Sequence, residues 1–319
     1  MKKFWKILLI VLAALLSLLI VAWAGLMVAK LICYPDYVSE KETVCTIPAI
    51  HDGFVPQGVA HISDTTYIFS GYDGDALEIH LSKNGTPIEI IPVDGEGRVW
   101  ESHGGGVAVV KDLVYVTGTN SLLIFDLNDI MSAEDGAKVA NIDKFIIDVT
   151  PSYCFATDEM LYVGEFYDGE KYKTDQTHHV TTASGEKHYA LTAAYSLNEE
   201  GRPLSNTPDL YISTRNKVQG FAVSGNTYIL SSSYGLASSE LDFYGGLTGS
   251  GTTIEIEDKI VPLYHLESST HIKTVSMPAM SEGLDVVGNR VVISFESACN
   301  KYIFGKIFFA DKLVSYPVS

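Results

Sequence analysis

Cysteine, basic side chains and long amphipathic stretches are all scarce in this sequence. The four cysteines among 319 residues (Cys33, Cys45, Cys154 and Cys299) are too few for a disulfide scaffold and match no zinc spacing. Setting aside Lys2, Lys3, Lys6 and Lys30, the chain keeps 18 Lys and Arg against 39 Asp and Glu, a net charge of −21. So acidic a surface repels phosphate backbones, which excludes nucleic acid as a partner and favours cations. Beyond the first 32 residues no segment sustains a 3.6-residue apolar period, so helices are not the main building material. Ser231-Ser-Ser233 lacks a G-x-S-x-G elbow, Asp73-Gly-Asp75 lacks the downstream glutamate of an EF-hand, and Gly104-Gly-Gly106 is not followed by a helix. No serine-hydrolase or phosphate-loop chemistry is visible.

One long apolar run is present, at the N-terminus. Ile7 to Ala29 is uncharged over 23 residues, enough to cross a hydrocarbon core of roughly 30 Å at about 1.5 Å per residue. Three lysines precede it and Lys30 follows, which predicts a cytoplasmic N-terminus and a domain outside. Ala22-Trp23-Ala24 offers a competing signal-peptide cleavage site. The apolar run, however, outlasts the roughly 7–15 residues of a signal h-region. The expected organisation is a cytoplasmic stub and transmembrane anchor over 1–32, a short linker over 33–43 and one domain over 44–319. That places the protein in the cell membrane as a single-pass chain. About 285 residues outside can bury a sizeable core.

The domain writes one phrase several times. Val218-Gln-Gly-Phe-Ala-Val-Ser-Gly-Asn-Thr-Tyr-Ile-Leu-Ser-Ser-Ser-Tyr234 returns as Ser281-Glu-Gly-Leu-Asp-Val-Val-Gly-Asn-Arg-Val-Val-Ile-Ser-Phe-Glu-Ser297, and weaker copies start near Pro56, His103 and Ser152. Each is a short apolar strand, a polar turn and a second strand rich in Tyr, Val and Ile: a β-hairpin. Further strand-like runs follow each copy, as in Leu77–Leu81 with Ile88–Ile91. Units of four strands repeated at intervals of about 47 to 67 residues predict an all-β chain folded as a β-propeller. Five phrases give five blades, with six as the alternative if the long fourth unit conceals another. The last unit is one strand short. Glu42–Ile50 can supply that strand and close the ring, which also brings Cys45 and Cys299 into one blade, where they could pair.

In a propeller the first strand of each blade starts, and the second ends, on the same face beside the central channel. That rule gathers Gln57, His103, Ser152, Gln219 and Glu282 with Tyr72, Thr119, Glu165, Tyr234 and Glu296. Three carboxylates on one rim repel each other unless something neutralises them. A divalent cation is the expected agent: Glu165, Glu282 and Glu296 with Gln57 and Gln219 offer the oxygen ligands that Ca2+ takes. His103 is a candidate general base beside such a metal. His178, His179 and His188 fall in a polar insertion, Asp168–Lys187 with its flank, expected to be an exposed loop.

Gln57-Gly58, Gln219-Gly220 and Glu282-Gly283, each leading into an alternating strand, resemble bacterial extracytoplasmic propellers of the NHL and gluconolactonase/paraoxonase-like kind. That resemblance implies a propeller carrying either binding or catalysis. Its lactonase-like members imply six blades, a calcium at the channel mouth and a catalytic carboxylate or histidine. Three functions stand at this point. The first is a membrane-anchored propeller binding a small-molecule or protein ligand at the channel mouth with a divalent cation. The others are a metal-dependent hydrolase using that face, and a structural interaction module. Whether the protein is an enzyme is left open by the sequence.

Overall fold

Each copy of the phrase folds as a hairpin because two β-branched and aromatic runs meet across a short polar turn. In the computed structural model, which describes residues 2–63 and 65–319, these hairpins are the inner strand pairs of five sheets. Blade 1 is Val55–Ser63, Thr66–Asp73, Ala76–Lys83 and Thr86–Val93, and blade 2 is Val107–Val110, Leu113–Thr117, Ser121–Asp126 and Asp143–Ile146. Blade 3 is Tyr153–Ala156, Met160–Gly164, Ala190–Ser196 and Leu210–Thr214. Blade 4 is Val218–Ser224, Thr227–Ser232, Ser239–Tyr244 and His271–Met277. Blade 5 is Ser281–Val287, Arg290–Phe295 and Lys312–Pro317, completed on its outside by Glu42–Thr46. The inner strands of successive blades touch around the ring, and that of blade 5 touches that of blade 1.

The glycine of the repeated phrase has a structural cause. A Cβ on Gly58 would lie 2.5 Å from the amide nitrogen of Val107, and one on Gly283 would lie 2.8 Å from the carbonyl oxygen of Gln57. Adjacent inner strands therefore meet backbone to backbone at these points, a distance only glycine permits. Outside this ring the core divides into clusters between neighbouring blades. One packs Phe155, Phe221, Phe243 and Phe295 together; another packs Tyr115, Leu161, Tyr195 and Tyr211.

Closure runs through the N-terminal strand. Glu42 pairs with Ser315 and Thr46 with Lys312, with an irregularity between Thr43 and Cys45. The extra length of the fourth unit is not a sixth blade. It is the hairpin Thr253–Ile256 and Lys259–His265, whose second strand lies parallel to Leu210–Thr214 on the outer edge of blade 3. Blade 2 does the same to blade 1, lending Ala137–Ala140 to the edge of Thr86–Val93. Both covers protect edges that would otherwise be open.

The apolar run forms one helix, Lys2–Cys33, long and apolar enough to cross a membrane, as a signal sequence near the N-terminus also would be. The expected linker is largely ordered on the propeller. Pro35–Glu40 is a short helix started by its proline, and Tyr34 and Tyr37 are buried against Phe308 and Phe295. Cys45 and Cys299 are both free thiols, so the pairing that shared blade suggested is not made; Cys299 is buried in the cluster between blades 5 and 1.

Candidate functional site at the channel mouth

A cavity of about 760 Å³ opens at one end of the channel, within the range of small-molecule sites. Gln57, Tyr72, His103, Thr119, Ser152, Gln219, Tyr234 and Glu296 all line it. Eight of the ten residues that the strand-start and strand-end rule gathers are therefore on one cavity; Glu165 and Glu282 are not in its lining.

A carboxyl pair lies at the base of the cavity, Glu296 in its lining and Glu282 buried behind it. Glu282 and Glu296 are 2% and 8% exposed. Gln57 Nε2 donates to Glu296 Oε2 at 2.8 Å, and Gln219 Nε2 reaches Glu282 Oε1 at 3.5 Å. Burial holds the Glu282 carboxyl well above the usual range, and the charge of Glu296 raises it further. Burial lifts Glu296 to about 8, against the opposing pull of the Gln57 hydrogen bond and of Lys301. At neutral pH the pair therefore retains a proton that exposed glutamates would have lost.

Lys301 and Tyr302 were not picked out from the sequence. They sit in the long connection after the second strand of blade 5, which has no periodicity to mark it. Lys301 Nζ donates to Tyr72 Oη at 2.8 Å and lies 4.4 Å from the centre of that ring. Tyr72 in turn stacks on His103, with ring centres 4.6 Å apart and planes 21° from parallel. Burial lowers the His103 pKa, and Lys301 and Lys171 lower it further, so the imidazole is neutral at physiological pH. A second aromatic wall is built by Phe166, Tyr172 and Tyr234, with ring centres 5.4 and 5.8 Å from that of Phe166.

Glu165, expected beside the other two glutamates, belongs to a different site. It is 1% exposed. Both of its oxygens lie 3.0 Å from His178 Nδ1, and it accepts the amides of Thr150 and Leu191 at 3.2 and 3.1 Å. Burial pushes His178 down, but the hydrogen bond and charge of Glu165, with Asp175 and Asp148, outweigh it and favour the imidazolium. The insertion expected to be exposed is thus tied in: His178 and His188 are both buried, and His188 Nδ1 lies 2.8 Å from Ser213 Oγ. Among the described residues no group of three or more His, Cys, Asp and Glu side chains is placed to hold a metal. Of the expected ligands, the structure brings together Glu282, Glu296, Gln57 and Gln219.

No protein-family model matches the chain, and no curated protein matches it in sequence. Solved structures are similar at the level of fold. Glutaminyl cyclase from Myxococcus xanthus shares 10% identity over 88% of this chain and 97% of its own, at a TM-score of 0.37. BamB from Moraxella catarrhalis shares 12% over 82% of this chain and 84% of its own, at 0.32. The computationally designed Ika4 protein shares 11% over 72% and 98%, at 0.32. These likenesses go no further than the propeller fold, and the chemistry of the site has to come from its own residues.

Proposed function

We propose that the protein is a membrane-anchored, extracytoplasmic binding propeller that takes its ligand in the channel-mouth cavity, with Ca2+ held at the floor. The observation that carries this is the buried Glu282–Glu296 pair beneath an open cavity of about 760 Å³. Two carboxyls that burial and mutual repulsion keep partly protonated are costly to leave in place. A divalent cation would remove the repulsion. The donors available with them, the side-chain oxygens of Gln57 and Gln219 and water entering from the cavity, are all hard oxygens, which suits calcium rather than a softer metal. Helix Lys2–Cys33 acts as the anchor, and the lysines ahead of its apolar run orient the propeller outward.

The hydrolase alternative is favoured by one observation of its own. A glutamic acid with a pKa of about 8 near a neutral His103 on the same cavity is a usable acid and base pair near neutral pH.

A thermal melt of the detergent-solubilised full chain, with EDTA and with millimolar Ca2+, tests the binding function. Calcium should stabilise by about 2.7 kcal/mol at a hundredfold excess over Kd, and Glu282→Gln should remove most of that shift while keeping the fold. If Ca2+, Mg2+, Mn2+ and Zn2+ all leave the melt unmoved, the cation role and the metal-dependent hydrolase fall together.

A further inference from the structure

The anchor leaves the propeller on the same face as the cavity. Two mouth loops join the anchor to the cavity. The connection from Glu296 to Asp311 lines the cavity with Glu296, Lys301 and Tyr302, and then meets the anchor: Lys30 Nζ donates to the carbonyl oxygen of Phe309 at 3.3 Å, and Tyr34 packs edge-on against Phe308. The connection Ser233–Ser238 lines the cavity with Ser233, Tyr234 and Gly235, and ends at Ser238, whose Oγ lies 3.1 Å from Tyr34 Oη. No stalk separates the two parts. The apolar run ends at Ala29 and Tyr34 is already buried in the propeller, so that at the helical rise of about 1.5 Å per residue the bilayer edge and the mouth loops are within about 10 Å.

Those loops expose apolar side chains. Ile303 and Phe304 are 73% and 68% exposed, and Ile307, Phe309 and Leu236 also face outward. Between Glu296 and Asp311 the only charged side chains are Lys301 and Lys306, and Lys30 lies beside them. Clustered exposed apolar residues mark an interaction surface, and an apolar tip flanked by lysines suits a lipid interface.

We propose that the channel-mouth face lies against the bilayer, with Ile303, Phe304, Ile307 and Phe309 seated in its interfacial layer. The cavity then opens toward the membrane plane, and its ligand is a membrane-borne amphiphile whose polar head enters between the two aromatic walls. This rests on helix Lys2–Cys33 remaining as a membrane anchor.

Nitroxide labels on single cysteines, in a Cys33→Ser, Cys45→Ser background of the full chain, provide the test. The chain is reconstituted in phosphatidylcholine vesicles with and without phosphatidylglycerol, and each label is read by its collision with oxygen and with a water-soluble nickel chelate. Leu16→Cys reports the anchor, Phe304→Cys the mouth loop, and Asn289→Cys the turn between the first two strands of blade 5 at the opposite end. The expected result is oxygen-dominated collision at 16 and 304 and nickel-dominated collision at 289. Oxygen at 16 with nickel at both 304 and 289 overturns the docking while leaving the anchor in place. Nickel at all three positions overturns the anchor and the docking with it. A label at 304 that turns oxygen-accessible only with phosphatidylglycerol supports the docking and assigns the lysines a share of it.

Discussion

Glu165 and Glu296 occupy the same place in two blades. Each follows the second strand by one residue, after Met160–Gly164 in blade 3 and after Arg290–Phe295 in blade 5, and each is buried. Their surroundings differ. Glu165 receives an imidazole and two backbone amides, a set that satisfies both of its oxygens. Glu296 receives one carboxamide and shares its burial with Glu282, a set that leaves the pair short of positive charge. Carboxylate position alone does not define a site. In blade 3 the insertion brings His178 back and completes a structural pair; at the mouth no imidazole is brought to the pair, which is where the proposed cation would act.

The largest expected effect is on the blade 3 side. His178→Ala strands Glu165 in the interior and should cost about 3 kcal/mol or more in urea unfolding, whereas Glu282→Gln in cation-free protein should cost little or stabilise. Equal losses from the two variants would erase the contrast.

Next comes pH. Without cation, Glu296 and Asp285, raised by burial to about 8 and about 7, hold protons that the unfolded chain releases above the usual carboxylate range. At these two groups the folded state binds more protons, so their contribution to stability falls as pH rises from about 5 to about 8, by at most about 1.4 kcal/mol per pH unit for each such proton. His103, His188 and His265, lowered chiefly by burial, work the other way below about pH 6.5. The raised His178 acts in the same direction as the two carboxyls: its contribution is full below about pH 6.5 and is lost as pH rises through its folded value. Melts of Glu296→Gln and His178→Ala across this range separate the two, and Glu296→Gln should flatten the slope more. Variants whose slopes match that of the wild type would contradict both assignments.

The smallest effect is at Lys301. Its charge opposes a cation at the floor, so Lys301→Met should tighten calcium binding severalfold by calorimetry, in line with about 1 kcal/mol for a partly exposed charge. Weaker binding in that variant would mean that Lys301 helps hold the ligand instead.

Much of this architecture was legible in the sequence because propellers repeat. The Gln-Gly and Glu-Gly phrases marked the inner strands, the short last unit called for Glu42–Thr46, and strand polarity gathered the cavity lining from Gln57 to Glu296. What the sequence hid depends on non-repeating connections. Nothing periodic announces that the turn Gln176–His178 folds back onto Glu165, or that the loop after Glu296 turns Lys301 over Tyr72. The blade 4 hairpin looked like spare length for a sixth blade, since its parallel pairing with blade 3 is a contact between units. Tyr34 and Tyr37 lay in an apparent linker because their partners, Phe308 and Phe295, lie more than 250 residues away.

The central claim is that the mouth pair holds a proton that a cation displaces, and proton release measures it directly. Calcium is added to the detergent-solubilised chain in weakly buffered solution at pH 7, and the protons liberated per ion bound are counted. Release of at least one proton per calcium is expected for the wild type, with affinity rising toward pH 8, and neither uptake nor release in Glu282→Gln. Calcium binding at pH 7 without proton release, or no binding at any pH up to 8.5, would contradict it.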